Sequence, residues 1–168
     1  MIDYKEKIAT LYKINEFLNS IDNLDSLLNL IMEEATLAVK AEASSVALYD
    51  KHKRNLYFSV ALGEKGEQIK RIQIKPGEGI IGCAAQKRRP FNIVDVSKDK
   101  RFSARMDKYT GFKSKSILAV PIIHNKELIG ALEVINKRNA HCFSEQDVEL
   151  LEIIAGQAGI AQKERLKK

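Results

Sequence analysis

The chain has 168 residues, 45% of them apolar and 30% charged, and carries a net charge of +6. That length suits one domain burying about 70% of its unfolded surface, so folding needs no disulfide or metal. The composition excludes wholesale disorder, and no apolar run approaches the roughly 20 residues that cross a bilayer.

The acidic, polar opening Met1-Ile2-Asp3-Tyr4-Lys5-Glu6 is unlike a signal peptide, so a cytoplasmic chain is expected. Residues 4–20 predict a helix, with Ile8, Leu11, Asn15 and Leu18 at helical spacing beside Ile14, Phe17 and Ile21. After the break at Ser20-Ile21-Asp22-Asn23, Asp22 or Asn23 caps a second helix over 24–39. It presents Leu27, Leu28, Ile31, Ala35 and Leu37.

Strands follow at 44–49 and 56–62, joined by a charged turn, with a third strand expected at 69–74. Pro76-Gly77-Glu78-Gly79-Ile80-Ile81-Gly82 is a glycine-punctuated turn into a small-residue helix. A strand at 91–96 precedes a polar loop over 97–113 with a helical turn near 101–108. Strands at 116–123 and 128–136 form a hairpin through His124-Asn125-Lys126-Glu127, and Pro121 favours an edge or a bulge. Glu133 shares a strand face with Ile129, Ala131 and Ile135, where a carboxylate needs a partner such as Lys115, or lines a pocket. The last helix, 144–166, opens on Ser144 and Asp147, a capping-box variant.

Helices, then strands, then a helix predict an α+β domain with an antiparallel sheet, the terminal helices on one face and a loop-roofed pocket on the other. No composition shift divides the chain, so residues 1–168 read as a single domain. Segment 87–115 holds ten basic residues against Asp95, Asp99 and Asp107, a local +7 that attracts anions. Its few aromatics and the lack of a DNA-binding motif argue against nucleic acid, leaving either a solvated loop or a site for a phosphate-bearing small molecule. Cys83 and Cys142 lack CxxC spacing, and the histidines are scattered, so neither a disulfide nor a metal site is expected. No Ser/His/Asp set, Walker loop or zinc-protease motif is present, which points away from catalysis.

Several segments fall in a recognisable order: Ser44 to Asp50, Pro76 to Gly82, Phe91 to Asp95, Arg101-Phe102, Thr110 to Leu118, and Gly130 to Lys137. The chain resembles a GAF domain over about residues 10–165, and is similar to the cyclic-nucleotide-binding GAF domains of phosphodiesterases and cyanobacterial adenylyl cyclases. Asn136, Lys137, Phe143 and Asp147 match a five-part signature of that group, with Val148 at its fifth position, a Glu in the group. The resemblance implies a six-stranded antiparallel sheet with the terminal helices 4–20 and 144–166 serving dimerisation and output.

It also implies a sensor that binds cAMP or cGMP without catalysis or a cofactor, acting as a homodimer with an output domain or partner. The backbone of Ile80 and Ile81 would meet the phosphate or ribose, and Thr110 and Ser114 would supply hydroxyls. Four apart, those two would face one way on a helical turn. Asp107 lies near an acid that meets base or ribose, and Ser45 matches a base contact. Glu133 is a candidate for the same pocket. Ala61 and Leu62 stand where cGMP-binding relatives carry an aromatic and an acid, and Ser103 where some carry a covering aromatic, which favours cAMP. Without the resemblance, Lys137 and Asp147 read as a surface ion pair worth ~0–1 kcal/mol. Two alternatives are a ligand-free dimerisation module and cysteine-based reduction of free methionine sulfoxide.

Overall fold

The computed structural model describes residues 3–70 and 72–167; Met1, Ile2, Lys168 and Arg71, within the expected third strand, lie outside them. Helix α1 (Tyr4–Ser20) is followed by α2 (Leu24–Ala38), whose first turn is capped by Asn23 Oδ1 accepting from Ser26 N at 2.9 Å. Helix α2 buries Leu27, Leu28, Ile31, Met32 and Ala35, whereas α1 buries only Thr10 and Ile14. Ile8 and Leu37, expected on inward faces, are exposed. Helix α1 packs chiefly on α2 and α5, so a narrow stripe suffices for it.

Six strands form one antiparallel sheet in the order β3-β2-β1-β6-β5-β4. They are β1 (Ala41–Asp50), β2 (Asn55–Leu62), β3 (Gln73–Ile74), β4 (Phe91–Ile93), β5 (Ile117–His124) and β6 (Glu127–Lys137). Helices α3 (Gly79–Lys87), α4 (Arg105–Thr110) and α5 (Glu145–Leu166) complete the fold. Among the described residues, no helix is long and apolar enough to cross a membrane.

The expected strand at 69–74 shrinks to two residues. Ile69 N and Ile72 N donate to the carbonyls of Gly66 and Ile69, so local turns take the groups a ladder would use. Gly66 lies so close to β2 that a Cβ would sit 2.2 Å from Ala61 O. The strand expected at 91–96 stops at Ile93 because Asp95 Oδ1 accepts from Ser97 N and Oγ at 3.0 and 2.6 Å and starts a 3-10 turn. Between β5 and β6, His124 pairs with Glu127, leaving a two-residue turn with Asn125 and Lys126 at φ 49° and 64°. Pro121 lies past the end of β4, which covers only Ile117–Ala119 of β5, so no neighbour needs its missing N–H.

The main core lies between the sheet and α2 with α5, built from Val46, Leu118, Val120, Leu132 and Val134 against Leu28, Ile31, Leu151 and Ile154. The opposite face carries Ala47, Ala119 and Ala131, whose small side chains admit α3 through Ile80, Ile81, Ala84 and Ala85. Ile129 does not share that face with Glu133. The register passes from Ile122↔Gly130 to Ile123↔Leu128, so Ile129 is the bulged residue and turns to the helix-side core.

Lys137 and Asp147 are not a surface pair. Lys137 Nζ lies 2.9 Å from Asp147 Oδ2 and 2.8 Å from Val39 O, and the side chains are 10% and 0% exposed. Asp147 Oδ2 also accepts from Ser144 N at 2.8 Å, completing the capping box of α5. The cation therefore ties the C-terminal end of α2 to the N-terminal end of α5, and the signs suit the helix dipoles, the Lys137 cation at the end of α2 and the Asp147 carboxylate in the first turn of α5. Replacing Lys137 with Met leaves a buried carboxylate unpaired, and urea denaturation should register a loss of about 3–5 kcal/mol. Most of that loss should return in Lys137→Met/Asp147→Asn, which removes the orphaned charge.

Candidate ligand pocket

On the sheet face opposite α2 and α5 lies a cavity of about 90 Å³. Its floor is Ser45 of β1, Phe58 of β2, Ile117 of β5 and Glu133 with Ile135 of β6. Its roof comes from the start of α3, from Phe102 and Ser103, from α4, and from the strap that runs through Phe112 and Ser114 into β5. Leu62, Lys65 and Gly66 close one side. The walls are mostly apolar with a few polar groups, as small-ligand sites are.

All seven residues expected to meet a ligand border this cavity: Ser45, Ile80, Ile81, Asp107, Thr110, Ser114 and Glu133. Ser45 and Glu133 are cross-strand partners, so both point to one face. Ser45 Oγ donates to Glu133 Oε1 at 3.0 Å, and Glu133 is 7% exposed. The expected alternative, an ion pair with Lys115, is absent among the described residues: Lys115 is exposed and Glu133 has no cation partner. Burial pushes the Glu133 carboxyl up to about 7, against the Ser45 hydrogen bond and with help from the nearby Asp107 charge.

Ile80 and Ile81 sit in the first turn of α3, where the residue before the helix provides no side-chain cap. The Glu78 carboxylate turns away to accept from Lys75 N at 3.0 Å and from Arg105 at 2.7 Å. The first turn of α3, on the cavity wall, thus has no side-chain cap for its N–H groups, an arrangement suited to an anion.

Thr110 and Ser114 do not share a helical turn. Helix α4 ends at Thr110, Gly111 takes a left-handed φ of 76°, and an extended strap follows. Both hydroxyls also have local work. Thr110 Oγ1 donates to Met106 O at 2.8 Å and accepts from Phe112 N at 3.1 Å. Asp107 receives Ser114 N at 2.7 Å and Ser114 Oγ at 2.8 Å.

The four signature residues stand outside the cavity. Asn136 accepts from Lys115 N at 2.7 Å and donates to Lys113 O at 2.9 Å and Glu42 Oε2 at 3.0 Å, so it pins the strap. Phe143 is buried in the helix-side core, its carbonyl accepting from Asn92 at 2.9 Å. Lys137 and Asp147 lie on that same side.

The anion-attracting charge of segment 87–115 is not in the pocket. All ten of its basic residues are exposed and none borders the cavity. The cavity is bordered by three carboxylates, Glu78, Asp107 and Glu133, and by one cation, Lys65. Sequence reasoning passed over Lys65 and Met106; the Gly63-Glu64-Lys65-Gly66 bracket was the available signal for the first. Neither Cys83, buried against Phe91 and Phe102, nor Cys142 reaches the cavity wall.

A raised folded pKa means the folded chain holds the Glu133 proton more tightly than the unfolded chain does. The stability this group contributes is fully present below its ordinary 4.5 and is lost as pH rises through about 7. Glu133→Gln should therefore flatten the decline, gaining roughly 3 kcal/mol on the parent between pH 4 and pH 8 in urea titrations.

A family model described as the GAF domain matches residues 23–162. A protein named probable 3′,5′-cyclic phosphodiesterase pde-5, from Caenorhabditis elegans, is 30% identical over 95% of this chain and 24% of its own length. The dual 3′,5′-cyclic-AMP and -GMP phosphodiesterase 11A of Takifugu rubripes is 32% identical over 95% of this chain and 19% of its own. The chain thus spans about a quarter or less of these relatives. Among solved structures, the GAF domain of a phosphoenolpyruvate-protein phosphotransferase from Coxiella burnetii superposes with a TM-score of 0.87 at 22% identity, covering 97% of this chain and 96% of that one. A free methionine-R-sulfoxide reductase from Neisseria meningitidis, in complex with its substrate, gives 0.82 at 18% identity, covering 99% and 95%. The six-stranded antiparallel sheet with its packed helices is the fold that these structures share with the chain. The chain belongs to the GAF domain family.

Proposed function

We propose that this GAF domain is a non-catalytic sensor that binds a cyclic nucleotide in the roofed cavity, cAMP in preference to cGMP, and signals through α1 and α5. The reading is carried by the buried Ser45–Glu133 pair on the cavity floor, set across from the open first turn of α3. The first offers a base-reading group and the second offers N–H donors to a phosphate. Named relatives that hydrolyse cyclic nucleotides support the ligand class.

Adenine presents an acceptor at N1 beside a donor at N6. A protonated carboxyl presents the complementary donor and acceptor, and Glu133, pushed up to about 7, is about half protonated near neutrality. Ala61 and Leu62 add no polar partner for guanine. The cavity, about 90 Å³, is smaller than the roughly 300 Å³ at which ligand pockets begin, so a nucleotide enters only when the roof moves. Helix α4 is the part suited to move: it is six residues long and held by the Arg105–Glu78 ion pair and the Asp107–Ser114 hydrogen bonds.

That small volume also favours a second reading, a ligand-free dimerisation module in which Ile80, Ile81 and Leu62 fill the space. The cysteines give less support to redox catalysis, since both lie off the cavity wall. A cytoplasmic setting accords with two free thiols.

Calorimetry with cAMP and cGMP separates the first two readings. cAMP should bind more tightly than cGMP, and several-fold more tightly at pH 6 than at pH 8, because the donor form of Glu133 is lost as pH rises through about 7. No heat and no thermal shift with either nucleotide at millimolar concentration would leave the ligand-free module.

For output, a second copy of the chain fits the stripe of Tyr4, Ile8 and Tyr12 along α1, exposed at 75%, 53% and 64%, with Ile153 and Ile160 exposed on α5. Sedimentation should give a dimer for the parent and a monomer for Ile8→Glu/Tyr12→Glu. A monomeric parent would remove the dimer from the proposal.

A further inference from the structure

The outward-facing charge of segment 87–115 has no part in the cavity, and much of it is unneutralised. Among the described residues, Lys87, Arg89 and Lys100 make no contact with a carboxylate. These cations flank β4, the last strand of the sheet. Lys87 and Arg89 lead into it, and Lys100 with Arg101 returns beside it. Apart from its ladder with β5, β4 receives no backbone hydrogen bond among the described residues. The next residue, Val94, is 57% exposed.

Two guanidiniums are set on one ring here. Arg89 lies 4.4 Å and Arg101 4.7 Å from the centre of Phe91, so the two charges are no farther apart than the sum of those distances. Asp99 holds Arg101 at 2.9 and 2.6 Å, while Arg89 has no acid partner among the described residues. Stacking fixes a guanidinium before any partner arrives and reduces the ordering cost of binding. Exposed lysines alone would suffice to keep a sheet edge from self-association. An arginine with no acid partner among the described residues, its guanidinium 4.4 Å from the centre of a buried ring, goes beyond that need.

We propose that β4 accepts an extended acidic segment of a partner protein as an added strand, its main chain along Phe91–Ile93 and its carboxylates on Arg89, Lys87 and Lys100. An open edge supplies main-chain pairing, and the flanking cations select the sign of the side chains. Nucleic acid fits less well, because the aromatic ring at the strand is 5% exposed and already covered by guanidiniums. A membrane fits less well, because Val94 is the one large apolar side chain exposed between residues 87 and 101.

The test uses the whole chain and a fluorescein-labelled peptide of alternating Glu and Val. Anisotropy should rise on binding and amide exchange at 91–93 should slow. Arg89→Glu/Lys100→Glu should weaken binding about tenfold or more, with the thermal midpoint nearly unchanged. A peptide of equal charge with proline at alternate positions should lose as much, since it cannot donate to the edge. The proposal is overturned if the proline peptide binds equally well, if the double variant binds unchanged, or if amide exchange at 91–93 does not respond. Tighter binding of single-stranded RNA or of phosphatidylglycerol vesicles, lost in the same double variant, would also overturn it.

Discussion

The register of β6 against β1 is the constraint on which the rest of the structure depends. Ser45 faces Glu133 and Val46 faces Leu132, so successive residues of the two central strands go to opposite faces. A slip of one residue would send Glu133 into the helix-side core, where Leu132 and Val134 pack on α2 and α5, and would empty the cavity floor of its polar pair. Two local departures adjust this alternation. The bulge at Ile129 turns an apolar side chain away from the cavity face. Asn136, at φ 60°, breaks the pleat so that Lys137 reaches Val39 and Asp147 on the helix side.

Charge is divided between two surfaces with different consequences. The cavity is desolvated and bordered by more acid than base, so its carboxylates are held by hydroxyls, backbone N–H groups and one arginine. The outer rim is solvated and basic, and there the charges are screened by water and respond to salt. A net charge of +6 therefore describes the outside of the molecule, not its binding site.

Much of this was legible in the sequence because the signals are local. Asn23 and Ser144 begin helices by hydrogen bonds spanning three residues, and the β5–β6 hairpin needs only two strong strands and a short link. The seven cavity residues were reached through the order of motifs in the chain, since no local pattern unites Ser45 with Glu133. What was not legible depends on contacts distant in sequence or on competing local bonds. Ile69 and Ile72 have strand-like side chains, yet turn hydrogen bonds take their amides. Lys137 and Asp147 read as a surface pair because nothing near either residue announces that the end of α2 covers them. The sign of segment 87–115 was plain, but its direction was not: side-chain direction along irregular loops has no period to read.

The two adjacent signature residues at the end of β6 explain why residues outside the cavity can matter to it. Asn136 fixes the strap at Lys113, Lys115 and Ser116, which carries Ser114 and through it Asp107 on the roof. Lys137, the next residue, fixes the ends of α2 and α5. A roof movement that drags the strap therefore pulls on a backbone whose adjoining side chain holds two helices together. Interfaces of this kind repack between discrete arrangements instead of stretching, because a buried ion pair loses several kcal/mol when parted without a substitute. A ligand shifts such an arrangement only by binding one state better than the other. In the proposed sensor the roof would supply that difference, since a closed cavity of about 90 Å³ and an opened one cannot hold the same molecule equally well.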